Sequence, residues 1–282
     1  MSAQIHWFPG HMNKALKEME EKIKLVDVVI ELLDMRIPLS SVNDNFENVI
    51  KNKKRLFVFT KTDLADDPQT KLWKEKFDSE NKDYLILDLL HTDVSKILSN
   101  KIANMAKDKH EKEKAKGMKP QPIRAMIIGI PNVGKSSLIN KIAKRKAAGV
   151  ENRPGFTRGE QFIKINNDFL LVDTPGVLPM NYEDKKKAIN LALVGSIKED
   201  ILPIMDLANH LIEFLKKRYP NALKERFDID EITELMPVLQ QISARRGLIS
   251  QNNVPDLEKA ATVLLKEFKD GKLGKISLEW AK

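Results

Sequence analysis

Gly129-Ile130-Pro131-Asn132-Val133-Gly134-Lys135-Ser136 fits the pattern GxxxxGK[ST], and it lies directly after the apolar run Ala125 to Ile128. A helical pattern, Ser136 to Lys144, follows at once. A strand, a glycine loop and a helix in that order make a phosphate cradle, because the loop amides and the helix N-terminus both present N–H groups to an anion. Gly134 permits close backbone approach, with Asn132, Val133 and Ser137 beside it. Lys135 reaches the β- and γ-phosphates, and Ser136 is placed to ligate Mg²⁺.

Working outward from this loop, Asp173-Thr174-Pro175-Gly176 ends the apolar run Phe169 to Val172, 38 residues after Lys135. In a nucleotide switch this motif holds Mg²⁺ through Asp173 and senses the γ-phosphate through the Gly176 amide. Between the two lies Arg153-Pro154-Gly155-Phe156-Thr157-Arg158, whose Thr157 can ligate Mg²⁺ while the γ-phosphate is present. Guanine selectivity needs a carboxylate for the base N1–H and N2–H, on a turn after a strand. Downstream, Ile197-Lys198-Glu199-Asp200 follows no strand and reads as a solvated helix face. Upstream, Thr60-Lys61-Thr62-Asp63 follows the apolar run Arg55 to Phe59, so Asp63 is the base-reading carboxylate and Lys61 packs along the nucleotide. The guanine motif therefore precedes the phosphate loop, as in a circular permutation, which compact domains with neighbouring termini tolerate.

Six apolar runs read as strands: Leu25 to Leu33, Arg55 to Thr60, Tyr84 to Leu90, Ala125 to Ile130, Gln161 to Ile165 and Phe169 to Asp173. Helical patterns intervene at Met12 to Lys24, Val42 to Asn52, Thr70 to Ser79, Val94 to Lys109 and Ser136 to Lys144. This alternation predicts an α/β fold with a mainly parallel six-stranded sheet covered on both faces, its last two strands a hairpin. Lys101 to Pro120 reads as a Lys/Glu helix running into a breaker. From Tyr182 to Trp280 the spacing is helical, interrupted by Pro203, Pro220, Pro237 and Pro255. The expected organisation is a permuted GTPase domain over residues 1–178 and a small all-α domain over 179–282. The chain has no cysteine, which excludes disulfides and thiolate metal sites. Its net charge of +8 suits a polyanionic partner without demonstrating one. The first residues lack a basic segment followed by an apolar one, so a cytoplasmic protein is expected.

The order of these motifs looks like that of the circularly permuted GTPases. More closely, Trp7-Phe8-Pro9-Gly10-His11-Met12, Asp34-Met35-Arg36-Ile37-Pro38, Gly129 to Ser136 and Asp173 to Gly176 resemble the ribosome biogenesis GTPase A family, also called YlqF. Arg246-Gly247 and Gly271-Lys272-Leu273-Gly274-Lys275-Ile276 extend the likeness over nearly the whole chain. The resemblance implies a bacterial assembly factor that binds the precursor of the large ribosomal subunit in its GTP form, hydrolyses GTP there and departs. It also implies that the helical domain contacts ribosomal RNA. Two departures stand out: Thr60 occupies the place of the family's Asn, removing an amide that braces the phosphate loop, and Asp88-Leu89 replace small or polar residues beside the base.

Ras-like enzymes orient the attacking water with a Gln after the Asp-x-x-Gly motif, and here that position is Val177, which can neither donate nor accept. The catalytic group must come from elsewhere, so the enzyme is expected to be slow alone and stimulated by its partner. The family resemblance points to His11; read without it, the same histidine is a helix cap or packs behind Trp7 and Phe8. Asn132 sits where potassium-dependent relatives ligate a monovalent cation, making K⁺ a candidate cofactor beside GTP/GDP and Mg²⁺, although Asn also suits tight turns. Candidate RNA contacts are Lys185 to Lys187, Lys216, Lys217, Arg218, Lys224, Arg245, Arg246, Lys272 and Lys275. Neither a membrane nor DNA is expected as a partner, and a monomer is. A GTP-gated RNA-binding scaffold with negligible hydrolysis is the competing reading.

Overall fold

The computed structural model describes residues 10–50, 53–89, 92–143, 162–165, 169–172, 184–197, 202–250 and 254–281. Its centre is a six-stranded sheet of β1 (Val28–Asp34), β2 (Lys54–Thr60), β3 (Tyr84–Ile86), β4 (Ile123–Gly129), β5 (Phe162–Lys164) and β6 (Phe169–Val172). The strands run in the order β3-β2-β1-β4-β6-β5, all parallel except the β5–β6 pair. This is the expected sheet with its terminal hairpin. Every residue of β1, Val-Val-Ile-Glu-Leu-Leu-Asp, is buried, as a central parallel strand covered on both faces requires.

Alternate strand residues feed opposite layers. Val28, Ile30 and Leu32 join Leu56, Val58, Ala125 and Ile127 on one face. There they meet α4 (Val94–Met105) and α6 (Lys135–Ala143) through Val94, Leu98, Ile102, Leu138 and Ile142. On the other face Val29, Met126 and Ile128 meet α1 (Gly10–Lys22) and α2 (Asn45–Ile50), while Leu33 and Phe59 meet α3 (Asp67–Ser79). Helix α3 starts where Asp66 accepts from the Gln69 amide at 2.8 Å and Pro68 occupies the first turn. Trp73 and Phe77 then stack toward Phe59, whose ring lies 4.6 Å from that of Phe77.

Some boundaries differ from the sequence reading. Ile23, Lys24 and Leu25, expected as the end of the first helix and the start of the first strand, form a 3-10 turn, and β3 stops at Ile86. The helix expected over Val94 to Lys109 breaks at Ala106, where α5 (Lys107–Ala115) begins, polar at every position but Ala115 and with no buried residue.

The helical part comprises α7 (Lys185–Leu193), α8 (Ile204–Arg218), α9 (Lys224–Phe227), α10 (Leu235–Arg246) and α11 (Leu257–Lys269). Its core residues, among them Leu207, Leu211, Leu239 and Leu264, belong to the same continuous apolar cluster as the α4/α6 face of the sheet. The helical pattern does not persist to Trp280. After Gly271 the chain runs without helix as a strap back over the sheet domain, with the Ile276 amide on Leu64 O at 3.0 Å and the Leu278 amide on Arg36 O at 2.9 Å.

Candidate functional site

The carboxyl ends of β4, β1 and β2 lie side by side, and each delivers part of one site. Strand β4 ends at Gly129, the loop continues through Gly134, and Lys135, Ser136 and Ser137 form the first turn of α6. Gly129 cannot be larger, since a Cβ there would lie 2.8 Å from Leu32 O on the neighbouring strand. Gly134 has φ +102, a backbone conformation that side-chain-bearing residues rarely adopt, and it presents bare backbone opposite Thr60 and Leu89. Ser136 and Ser137 are exposed at this helix N-terminus, where phosphate oxygens and a phosphate-bound Mg²⁺ are naturally held.

From the next strands come the residues expected to read the base. Thr60, completely buried at the end of β2, lies with Oγ1 2.6 Å from Val133 O and 3.2 Å from Leu33 O. The hydroxyl thus ties the guanine motif to the phosphate loop. The brace expected to vanish with the missing Asn amide is present, because a threonine at the strand end is close enough to bond the loop carbonyl directly. Lys61 turns with φ 60 and is half-buried, and Thr62 Oγ1 lies 3.5 Å from Leu87 O. Asp63 is exposed, and its carboxylate has no hydrogen-bond partner among the described residues. Beyond β3, Asp88 and Leu89 are half-buried: Leu89 Cδ1 would lie 3.5 Å from a Cβ on Gly134, and Leu89 O accepts from Lys141 of α6. The segment after β3 therefore packs against the phosphate loop.

Asn132, with φ 60, is exposed at the loop crest and donates from Nδ2 to Gly195 O at 2.6 Å, in the turn after α7. The phosphate loop is thereby hydrogen-bonded to the helical part, a link that no local pattern signals. Helix α1 packs on the face of the sheet opposite α4 and α6. It is joined to β1 by the 3-10 turn, and Leu16 and Met19 of the helix and Ile23 of the turn share one apolar cluster with Val29 and Ile128. His11 opens this helix, and its side chain lies outside the described residues, as do Thr157, Asp173, Gly176 and Val177 entirely. Among the described residues no group of His, Cys, Asp or Glu forms a metal cluster. Mg²⁺ bound chiefly through nucleotide phosphates needs none.

The site thus brings together a phosphate cradle after β4 and an unengaged carboxylate after β2, on the far side of β1, the pairing expected of a guanine-nucleotide site. Comparison with known proteins agrees: residues 124–241 match the family model described as 50S ribosome-binding GTPase. The ribosome biogenesis GTPase A of Bacillus cereus is 42% identical over 98% of this chain and 93% of its own length. That of Bacillus licheniformis is 40% identical over 98% of both chains. This chain belongs to the ribosome biogenesis GTPase A family. It is a GTP hydrolase. A GDP-bound YlqF structure superposes with a TM-score of 0.71 at 24% identity, covering 93% of this chain and 98% of that one. A GNP-bound YlqF from T. maritima gives 0.70, covering 95% and 99%. Both share the fold.

Local sequence also gave no sign of a buried fork beneath the site. Arg36 Nε and Nη2 donate to the two Asp34 oxygens at 3.0 and 2.7 Å, and Nη1 reaches Lys269 O at 3.5 Å at the end of α11. Asp34 and Arg36 were legible only as part of the family resemblance. A buried bidentate pair is rigid, and this one holds the loop after β1 against the last helix.

Proposed function

We propose that this chain is an assembly factor for the large ribosomal subunit that docks on the subunit precursor with GTP bound, hydrolyses GTP there and leaves. The observation that carries the reading is the direct bond from Thr60 to the phosphate loop, which unites the base-reading turn and the phosphate cradle on one edge of the sheet. The family description and the relatives' names support the ribosomal partner. In this reading Asp63 reads the guanine, Lys61, Thr62, Asp88 and Leu89 flank the base, and Asn132, Val133, Gly134, Lys135, Ser136 and Ser137 hold the phosphates. Ser136, Thr157 and Asp173 hold Mg²⁺, which neutralises charge developing on the phosphates. Gly176 and Thr157 sense the γ-phosphate. Asn132 Oδ1 ligates K⁺, and it makes no hydrogen bond among the described residues.

His11, at the start of α1, supplies the water-positioning group that Val177 cannot. Hydrolysis is then slow until the ribosome orders that residue. The helical half, residues 179–282, presents basic side chains to ribosomal RNA, and its Gly195 bond to Asn132 gives it a direct connection to the nucleotide loop. The protein works as a cytoplasmic monomer. No helix among the described residues is long and apolar enough to cross a membrane.

The test is GTP turnover with and without purified large subunits, in K⁺ and in Na⁺, for the native chain and His11→Ala. Strong stimulation that disappears in the variant is the expected result. Full GTP binding without stimulated turnover would instead identify a GTP-gated scaffold.

A further inference from the structure

Among the candidate RNA contacts, the structure separates engaged cations from free ones. Lys224 pairs with Asp230 and Asp228, Arg245 with Asp228, Arg246 with Glu267, and Lys275 with Asp67. Lys185, Lys186, Lys216, Lys217 and Arg218 form no ion pair among the described residues. These free cations occupy two helix ends, the first turn of α7 and the last turn of α8. A cleft of about 710 Å³ lies between these ends, walled on its far side by α3 and floored by the 278–281 strap.

The cleft alternates charge with rings. Arg218 stacks over Trp280 at 4.1 Å, and Lys76 lies over Trp73 at 5.4 Å. Phe214 lines the wall beside them. Its two carboxylates are already used inside the fold. Glu279 accepts from the Leu39 amide at 2.6 Å, the Ser40 amide at 3.0 Å and Asn190 Nδ2 at 3.2 Å, while Asp184 caps α7 through the Lys186 and Lys187 amides. Lys187 is held by Asp44, so Lys76, Lys186 and Arg218 remain as the cations lining the cleft that have no acidic partner among the described residues.

We infer that this cleft binds an unpaired RNA segment, with a base stacked on the Arg218–Trp280 pair and the backbone phosphates tracked by Lys186, Lys76 and the α8 terminus. Single strands are recognised by this combination of flat stacking faces and a cationic track. A duplex cannot present its bases to such a cleft, and an acidic peptide has no flat group to complete the stack. The inference rests on the ribosomal reading above and narrows it to one surface and one form of RNA. The cleft contains no residue of the nucleotide site, so GTP binding provides an independent control.

The experiment uses the full chain with a non-hydrolysable GTP analogue and a short fluorescein-labelled single-stranded RNA of mixed sequence. A duplex RNA and a poly-glutamate peptide serve as competitors, and binding to purified large subunits is measured in parallel. Trp280→Ala is expected to weaken oligonucleotide binding roughly ten-fold or more, with Trp280→Phe restoring most of it. Arg218→Glu, at an exposed helix end where folding is not at stake, is expected to weaken it similarly; Arg218→Ala should lower the log–log salt slope by about 0.7. Arg218→Glu, which lies on α8 outside the strap, leaves GTP affinity unchanged, and it is the variant that separates RNA binding from the nucleotide site. Single-strand binding that is unaffected by Arg218→Glu and Trp280→Ala overturns the inference, as does displacement by poly-glutamate as effective as by RNA. If large-subunit binding persists in that case, the assembly reading survives; if the native chain binds no large subunit, that reading falls separately.

Discussion

Thr60 concentrates the difference between a motif and a site. As one letter in a tetrapeptide it is a departure from the family's Asn; in the fold its hydroxyl is fully buried between two backbone carbonyls. Thr60→Val keeps the shape and removes the donor, leaving Val133 O and Leu33 O short of a partner. Such a loss costs about 1–3 kcal/mol. Urea denaturation should show this loss, and a GTP titration should show weaker binding because the loop loses its tie to β2. A second buried group sets a pH dependence. Glu31, at zero exposure in β1, is driven by burial from 4.5 up to about 7, with Arg55 pulling the other way. The unfolded chain releases this proton first, so between about pH 4.5 and 7 the native state holds the extra proton and stability falls as pH rises. Glu31→Gln should flatten that slope, by an amount on the order of 1–3 kcal/mol across the window. Equal slopes in the two proteins would show that the carboxyl is ionised throughout.

At the scale of elements, the 273–281 strap is the part whose role is least visible locally. It has no regular structure, yet Ile276, Ser277 and Leu278 are buried, and the strap bonds Leu64, Asp66 and Arg36 around the back of the guanine turn. Gly271 is pressed so closely on Leu64 that a Cβ would lie 2.5 Å from its Cδ2. Ile276→Ala removes most of a buried side chain and should cost about 2–5 kcal/mol. Because the strap supports the residues just after Asp63, GTP affinity should fall in the same variant at temperatures where it remains folded. Calorimetry and nucleotide titration on one preparation check both parts.

For the whole molecule, the decisive feature is continuity. One apolar cluster joins β1, β2 and β4 to α8, α10 and α11; the strap, the Arg36 contact with Lys269 and the Asn132–Gly195 bond add polar ties between the same halves. Two halves tied through a shared core should unfold together. Scanning calorimetry is expected to give a single transition whose calorimetric and van't Hoff enthalpies agree. Two resolved transitions would show that the helical half is an independently stable domain.

The sequence by itself determined the class of fold and the order of the elements along its edge. Strand–loop–helix order, glycine spacing and the strand before Thr60 are local features, and periodicity reports them because each rests on backbone geometry within a few residues. The strand, loop and helix that carry Gly129, Gly134, Lys135 and Ser136 were legible in this way, and so was the turn after a strand that carries Asp63. Only the tertiary structure decided that Thr60 braces the loop, that Asn132 bonds Gly195, and that the strap closes behind the guanine turn. Each of these contacts joins residues 63 or more positions apart. Their geometry depends on how strands and helices pack, and no residue pattern along the chain carries that information.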